Sequence, residues 1–447
     1  MKHRFTSDSS YLLAYFLTII AAGTALLCLP QAWNGAAATG GAAATSGTAM
    51  AGTLARRGSL PFIDALFTAT SAVCVTGLTT VDTASFSRFG QIVILALIQV
   101  GGLGIISFTS LMLMMPGHRL PLRRLGTIRG LSVDGVEHDP LKIVRDIILF
   151  TLFIEAAGAA ALYPIFSRAG AADCGFTAVF HSISAFCNAG FSPFPNSLED
   201  FRGNPLLLTL IAFLIITGGI GFIVLQDLFR RFIGRKRRLS YHSKLVLSAT
   251  AVLVISGAAA FLLLEGNNTF AGMNPLDRAA NALFQSVTPR TAGFNAVHQA
   301  DLRQSSKFIT ILLMFIGGAP GSIAGGIKIS TAFIVLLAVL KRGNELGEIN
   351  VISRRFTPAV INSAVTYFIK ALFLLVFAAG ILSLIEGPRG ARFSQIIFEV
   401  TSAFGTVGLS LDLTSTLSDP GKLVIICTMF TGRVGLLAFV FLGGTTR

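Results

Sequence analysis

Four short stretches of this chain end alike: Ala72-Val-Cys-Val-Thr-Gly77, Ala185-Phe-Cys-Asn-Ala-Gly190, Val287-Thr-Pro-Arg-Thr-Ala-Gly293 and Ala403-Phe-Gly-Thr-Val-Gly408. Each glycine is followed by Leu78, Phe191, Phe294 or Leu409, and the glycines lie 113, 103 and 115 residues apart. The pattern is that of one unit present in four diverged copies. Four small glycine-ended loops around one axis are a means of building a ring of backbone carbonyls for a cation.

Composition places such a ring in a membrane. Hydrophobic residues make up 53% and charged residues 13% of the 447, against roughly 25% charged in soluble domains. Apolar stretches long enough to cross a bilayer core run over residues 11–30, 89–115, 143–166, 205–225, 245–264, 308–340, 359–384 and 423–443. Eight spans are expected, in an all-α membrane protein. The first is too long for a cleaved signal peptide. The net charge of +14 suggests nucleic acid at first sight, but its distribution excludes that reading. With the N-terminus inside, 20 of the 35 Lys and Arg fall on the inner side, 12 on the outer side and three within spans. That bias is a membrane address with both termini cytoplasmic.

Each copy reads as span, outer loop, short segment, glycine loop, span. The short segments, 61–71, 176–185, 276–287 and 394–403, are too short to cross and suit re-entrant helices. Pro61 and Pro275 sit near helix starts, and Asn274 is placed to cap the third helix. Irregular backbone at membrane depth must be buried in protein or line a cavity, so the glycine loops should face a common centre. The repeats divide the chain at 1–125, 126–240, 241–345 and 346–447. Residues 36–58, rich in Ala, Gly and Thr, read as a mobile outer loop.

A second mark recurs in the second span of each copy. Glycines cluster at Gly101-Gly102-Leu-Gly104, Gly218-Gly219-Ile-Gly221, Gly317-Gly318-Ala-Pro-Gly321 and Gly432-Arg-Val-Gly435. In the first two copies close helix packing explains them. The third differs, because Gly317, Gly318, Gly321, Gly325, Gly326 and Pro320 interrupt a 33-residue apolar stretch ending its motif at Lys328. A straight helix of that length would span about 50 Å, beyond the roughly 30 Å core. A broken span is expected, with a flexible loop over 317–328 below the glycine ring. A gating loop accounts for so many glycines better than a simple kink does.

Backbone carbonyls replace an alkali ion's water without net charge, so the ion is held and can leave. Glycine permits the backbone angles that turn successive carbonyls inward. The expected lining is Val75, Thr76, Gly77, Asn188, Ala189, Gly190, Thr291, Ala292, Gly293, Thr406, Val407 and Gly408. Helix C-termini directed at the axis add partial negative charge.

On these motifs the chain resembles the Trk/Ktr/HKT superfamily of potassium transporters, and its KtrB-type membrane subunits in particular. The third loop and the 317–328 segment carry the resemblance most closely, and it covers nearly the whole chain. It implies a pseudo-fourfold pore in the cell membrane and potassium uptake through the filter. Glycine in all four loops implies potassium preference, and transport in such systems is often sodium-stimulated. It further implies a homodimer and a cytosolic regulatory ring of the KtrA type, carrying ATP or ADP, with no cofactor in this chain. KtrB-type chains continue past the last span into a short tail at the dimer interface; this sequence ends at Arg447, soon after that span. The resemblance puts Arg433 beside the pore below the filter, opposing ion passage and touching the loop. An intramembrane cation is costly and functional by default, an internal salt bridge being the alternative. Lys328 acts similarly or snorkels.

Arg290 adjoins the third loop and is read as holding it through carbonyls or a nearby acid. Glu155 and Lys370 lie at similar depth and take a structural role, as at a dimer contact. Asp64 and Glu399 flank the short helices as cation attractors or plain solvated charges. Cys74 and Cys187 occupy matching positions as small buried residues. The six histidines form no metal spacing. No paired carboxylates, nucleophile elbow or phosphate loop points to an enzyme. A sodium- or proton-coupled carrier is the other reading; such carriers show two repeats and intramembrane acids, not four glycine loops.

Overall fold

The computed structural model describes residues 2–34, 58–114, 140–234, 238–341, 349–351 and 354–434. The outer-loop reading of 36–58 falls almost wholly outside these, as do the basic residues at 119–129 and 235–237 and the last thirteen positions.

Among the described residues the regular structure is helical apart from one small ribbon. In order come α1 (Lys2–Leu27), α2 (Phe62–Val73), α3 (Arg88–Met114), α4 (Pro140–Arg168), α5 (Cys174–Phe186), α6 (Pro205–Ile220) and α7 (Phe222–Phe232). Then come α8 (Tyr241–Glu265), α9 (Pro275–Val287), α10 (Gln304–Phe315), α11 (Ile329–Leu340), α12 (Pro358–Glu386), α13 (Phe393–Gly405) and α14 (Asp419–Val434). Between α11 and α12 the strands β1 (Ile349–Val351) and β2 (Arg354–Phe356) pair antiparallel, with Ile349 opposite Phe356. The sequence pattern did not signal this ribbon.

Three described helices are individually long and apolar enough to cross a bilayer, Leu141–Arg168, Tyr241–Glu265 and Pro358–Arg389. The stretch at 205–225, read as one span, is a correction. It breaks at Gly221, where α6 and α7 diverge by 105°. Gly221 has φ +86, and the Phe222 N–H donates to the Gly321 carbonyl (3.1 Å) rather than continuing α6. The stretch at 308–340 is broken as expected, into α10 and α11. The remaining apolar stretches are helical over Leu13–Leu27, Arg88–Gly104 and Asp419–Val434.

The four short helices α2, α5, α9 and α13 begin within two residues of their expected starts. Asn274 caps α9, its side chain accepting from the Asp277 N–H (2.8 Å), and Pro275 takes the first helical position. Each short helix packs against the long helix before it and against one from a neighbouring stretch of the ring, which for α2 is the last described helix. The pairs are α2 with α1 and α14, α5 with α4 and α3, α9 with α8 and α6, α13 with α12 and α10. The contact of α2 with α14 brings the two ends of the chain together. There the buried Lys422 ammonium pairs with the buried Asp64 carboxylate at 2.8 Å. Removing one partner from such a buried pair strands the other charge, typically at a cost of about 3–5 kcal/mol.

In α8 and α12 a carboxylate near the end of the helix serves the next long helix. Glu265 accepts from the Arg303 N–H (2.9 Å) just before α10, and Glu386 from the Ser418 N–H (2.9 Å) just before α14. Each satisfies a backbone donor near a helix start that has no partner within the helix.

Candidate cation site

Three of the short helices end in the same hydrogen-bonded turn. After α2 the Val75 N–H donates to the Ala72 carbonyl (3.1 Å) and the Thr76 N–H to Ser71 (2.8 Å). The same pair follows α5, from Asn188 to Ala185 and Ala189 to Ser184, and α13, from Thr406 to Ala403 and Val407 to Ser402. This is the Schellman ending, which needs a left-handed residue just past the helix. That residue has φ +54 at Val75, +57 at Asn188 and +48 at Thr406. The third loop differs because Pro289 has no N–H; there Ala292 and Gly293 both donate to the Thr288 carbonyl. It still reaches the same shape, with Thr291 at φ +69.

Two residues on, each loop turns left-handed again, at Gly77 (φ +93), Gly190 (+72), Gly293 (+75) and Gly408 (+96). A hydroxyl from each helix end pins the loop. Ser71 and Ser402 accept from the Gly77 and Gly408 N–H groups (3.0 and 3.1 Å). Ser184 and Thr288 donate to the Phe191 and Phe294 carbonyls (2.8 and 2.7 Å).

The four loops meet in a closed ring. A Cβ built on Gly77 would collide with the Ala189 carbonyl oxygen, one on Gly190 with Ala292, one on Gly293 with Val407, and one on Gly408 with Thr76. Each such Cβ would also lie 3.0–3.2 Å from the next loop's glycine Cα. The order is first, second, third, fourth and back to first. All twelve residues expected to line the centre are therefore brought together. The Thr76 and Thr406 hydroxyls are buried with no hydrogen-bond partner among the described residues.

Behind the ring, the positions three before each glycine hold Cys74, Cys187, Arg290 and Gly405. Cys74 packs among Ile425 and Met429, and Cys187 lies against Gly102. Both are free thiols. Arg290 is buried, pairs with no carboxylate among the described residues, and has no hydrogen-bond partner at Nε. It lines a small cavity with Val287, Ile215, Ile216, Gly219, Ile220 and Gly318. Neither the expected anchoring to loop carbonyls nor that to a neighbouring acid is seen among the described residues.

Below the ring lies the segment 316–328. It closes on itself, the Gly317 N–H donating to Ile327 (2.8 Å) and Ile329 to Gly318 (3.0 Å). It touches parts of all four copies. The Ala319 N–H donates to Gly219 (2.9 Å), the Ile323 side chain reaches Gly102, and Gly325 lies against the Thr406 hydroxyl. Gly321 and Gly326 are left-handed, at φ +75 and +64. Arg433, 5% exposed, donates from Nη1 to the Ile323 carbonyl and from Nη2 to Gly101 (3.3 Å). It pairs with no carboxylate among the described residues. Lys328 turns back to the Ala324 carbonyl rather than snorkelling.

The flanking acids are corrected by their partners. Asp64 is neutralised by Lys422, and Glu399 is fully buried, accepting from the Ser410 hydroxyl (2.7 Å) and from Thr414. Neither is solvated. Glu155 faces inward, accepting from Gln99 (2.9 Å) beside the Cys187 thiol, whereas Lys370 is exposed on α12. They do not pair.

The family model described as TrkH, cation transport protein, matches residues 16–443. The chain belongs to the TrkH family of cation transport proteins. This TrkH-family chain is 37% identical to the Ktr system potassium uptake protein B of Bacillus subtilis, over 98% of the chain and 93% of that relative. It is 39% identical to the potassium/sodium uptake protein NtpJ of Enterococcus hirae, over 86% and 85%. The solved potassium transporter TrkH of Vibrio parahaemolyticus superposes with a TM-score of 0.72, covering 96% of this chain and 84% of that one at 20% identity. At that identity the superposition speaks for the fold alone.

Proposed function

We propose that this chain is the ion-conducting subunit of a potassium uptake system, and that potassium crosses through the ring of loop carbonyls. The observation that carries the reading is the closed glycine ring. Left-handed turns two residues apart aim neighbouring carbonyls to the same side, and four loops multiply them into oxygen cages around one axis. The lining is Val75, Thr76 and Gly77 with their counterparts Asn188, Ala189 and Gly190; Thr291, Ala292 and Gly293; and Thr406, Val407 and Gly408. Four short helices point their C-terminal ends at the ring, adding partial negative charge for a cation. The names of the relatives support potassium as the cargo, and that of NtpJ adds sodium.

The four repeats run 1–125, 126–240, 241–345 and 346–447. The segment 317–328 is the gate, with Gly317, Gly318, Gly321, Gly325 and Gly326 as its flexible points. Lys328 and Arg433 hold it under the ring. Arg433 adds a positive charge that an ion must pass, so releasing the loop lowers two barriers together. The chain works as a homodimer in the cell membrane with both termini in the cytoplasm. A cytosolic KtrA-type ring, binding ATP or ADP, moves the gate.

The test is rubidium uptake into vesicles holding the purified chain, with and without the cytosolic partner. Uptake that potassium competes away, and that the partner raises, is the expected result. Vesicles that take up no alkali cation under either condition would overturn the reading.

A further inference from the structure

We infer that α7 is a binding site for anionic phospholipid headgroups, and that lipid bound there steadies the 316–328 loop. Its second half rests on the gating role given to that loop above.

Helix α7 leaves the line of α6 at 105°. A helix turned by about a right angle from a membrane-crossing one runs close to the membrane plane. Its two sides suit that position. Phe222, Ile223, Val224, Leu225 and Asp227 are buried against the protein. Phe229, Phe232 and Ile233 are 50%, 91% and 50% exposed. Arg230 and Arg231 lie in the last turn, Arg230 half-buried and Arg231 exposed. Exposed aromatics beside a pair of arginines form the pattern of a helix that seats in the headgroup layer.

Two further observations choose a bilayer over a protein partner. The exposed aromatic side continues a surface that already faces lipid. Phe150 of α4 contacts both Phe222 and Phe229, and its neighbours Leu149 and Phe153 are 59% and 71% exposed. The arginine pair also lies on the side to which the charge bias assigns the cytoplasm, where a leaflet with anionic headgroups attracts lysine and arginine.

The other end of α7 meets the loop. The Phe222 N–H donates to the Gly321 carbonyl (3.1 Å). A Cβ on Gly221 would lie 3.1 Å from both the Gly321 and Pro320 oxygens. One rigid eleven-residue helix thus joins the headgroup layer to the loop. Anchoring its basic end fixes its first turn, and with it the carbonyl that the first turn holds. Anionic lipid should therefore keep the loop seated.

The test uses the full chain in vesicles, with Trp33→Phe and Phe232→Trp so that one tryptophan reports on α7. Brominated phosphatidylglycerol should quench it more strongly than brominated phosphatidylcholine at equal fraction. Two arginines near the surface predict roughly thirtyfold local enrichment of the anionic lipid at most. Arg230→Gln with Arg231→Gln should abolish the difference. Equal quenching by both lipids, or quenching by neither because a protein covers the face, would overturn the proposal. Partner-independent rubidium flux should rise as phosphatidylglycerol is withdrawn, and should be insensitive to it in the arginine double variant. If quenching discriminates but flux does not respond, the lipid site stands and its link to the loop fails. The transport reading fails only if no vesicle takes up rubidium.

Discussion

Around the glycine ring the four copies differ in little but side chains; one layer below, three keep one packing contact and the rest diverges. Val75, Asn188, Thr291 and Thr406 have the same backbone handedness, and the glycines two residues on repeat it. Beneath them the second long helices diverge. Gly101, Gly218 and Gly432 press alike against the last turns of α2, α5 and α13. The second copy then breaks at Gly221, and the third gives way to a folded loop. On the proposed reading, an ion held by four loops needs equal ligands from each, so symmetry would be kept where the ion sits. An obstruction needs only one moving part, so symmetry would be lost where passage is controlled. The two breaks are hydrogen-bonded to each other, Ala319 to Gly219 and Phe222 to Gly321, which makes the asymmetric layer one connected body.

The largest effect should come from breaking the ring's equivalence at one corner. Gly77→Ser puts a side chain at φ +93 against the Ala189 carbonyl. That carbonyl must turn or retreat, and the ring loses its fit to a dehydrated ion. Competition assays with rubidium should show the preference for potassium over sodium falling tenfold or more, equivalent to about 1.4 kcal/mol. An unchanged preference would mean that the ion is not selected there. Arg433→Ala acts on the layer below and should leave selectivity alone. It removes the donor to the Ile323 and Gly101 carbonyls. Flux should rise several-fold and depend less on the cytosolic partner. Arg433→Gln, which keeps a donor without the charge, separates the loop contact from the electrostatic barrier. If both variants elute as folded protein and transport no faster, the loop is not held by this residue.

How far these regions could be read from the chain follows the same division. The ring was legible because four copies of one short motif testify for one another, and the loop because five glycines and a proline exceed what a helix tolerates. The bend at Gly221 was not, since Gly218-Gly219-Ile-Gly221 looks like the packing cluster at Gly101-Gly102-Leu-Gly104. Only the Gly321 carbonyl, a hundred residues away, distinguishes them. The charged residues misled for the same reason. Asp64 reads as a solvated acid until Lys422, 358 positions later, is seen beside it. The pinning hydroxyls could have been found, because Ser71, Ser184 and Ser402 all stand six before their glycines.

A third outcome concerns the outer side, where the copies are tied together. His298 faces Glu199 at 3.5 Å and Asp412 at 3.0 Å, joining the loops that follow the second, third and fourth ring glycines. Hydrogen bonds to Asp412 and Glu199 raise the imidazole to about 10, from an ordinary value near 6.5. A raised value means that the folded chain holds the proton more tightly than the unfolded one. The contribution is therefore complete below about pH 6.5 and fades as pH climbs towards 10. The gap in thermal midpoint between the native chain and His298→Gln should be widest at pH 6 and close by pH 10. The site is half-exposed, so solvent screening keeps the gap small. A constant gap would show that the residue contributes packing rather than charge.

The smallest effect tests why the ring tolerates side chains at strained positions. Val75 sits at φ +54, where a β-branched residue is a genuine outlier. Val75→Gly would relieve about 1–2 kcal/mol of backbone strain. Val75 is also 1% exposed in the core that backs the first loop, and losing a buried valine costs about 1.5–3 kcal/mol. Glycine's extra freedom in the unfolded chain costs a further 0.5–1 kcal/mol or so. The losses exceed the relief, so the variant should unfold about 1 kcal/mol more easily, while Asn188→Ala, at an equally buried position, replaces a residue type that tolerates this conformation and removes its hydrogen bond to Thr291 (3.3 Å), so it should also destabilise. A chain stabilised by Val75→Gly would reverse the order of these terms. If the expected loss is measured, burial behind the ring is what holds its left-handed turns in place, and a glycine-only rule for such turns is too narrow.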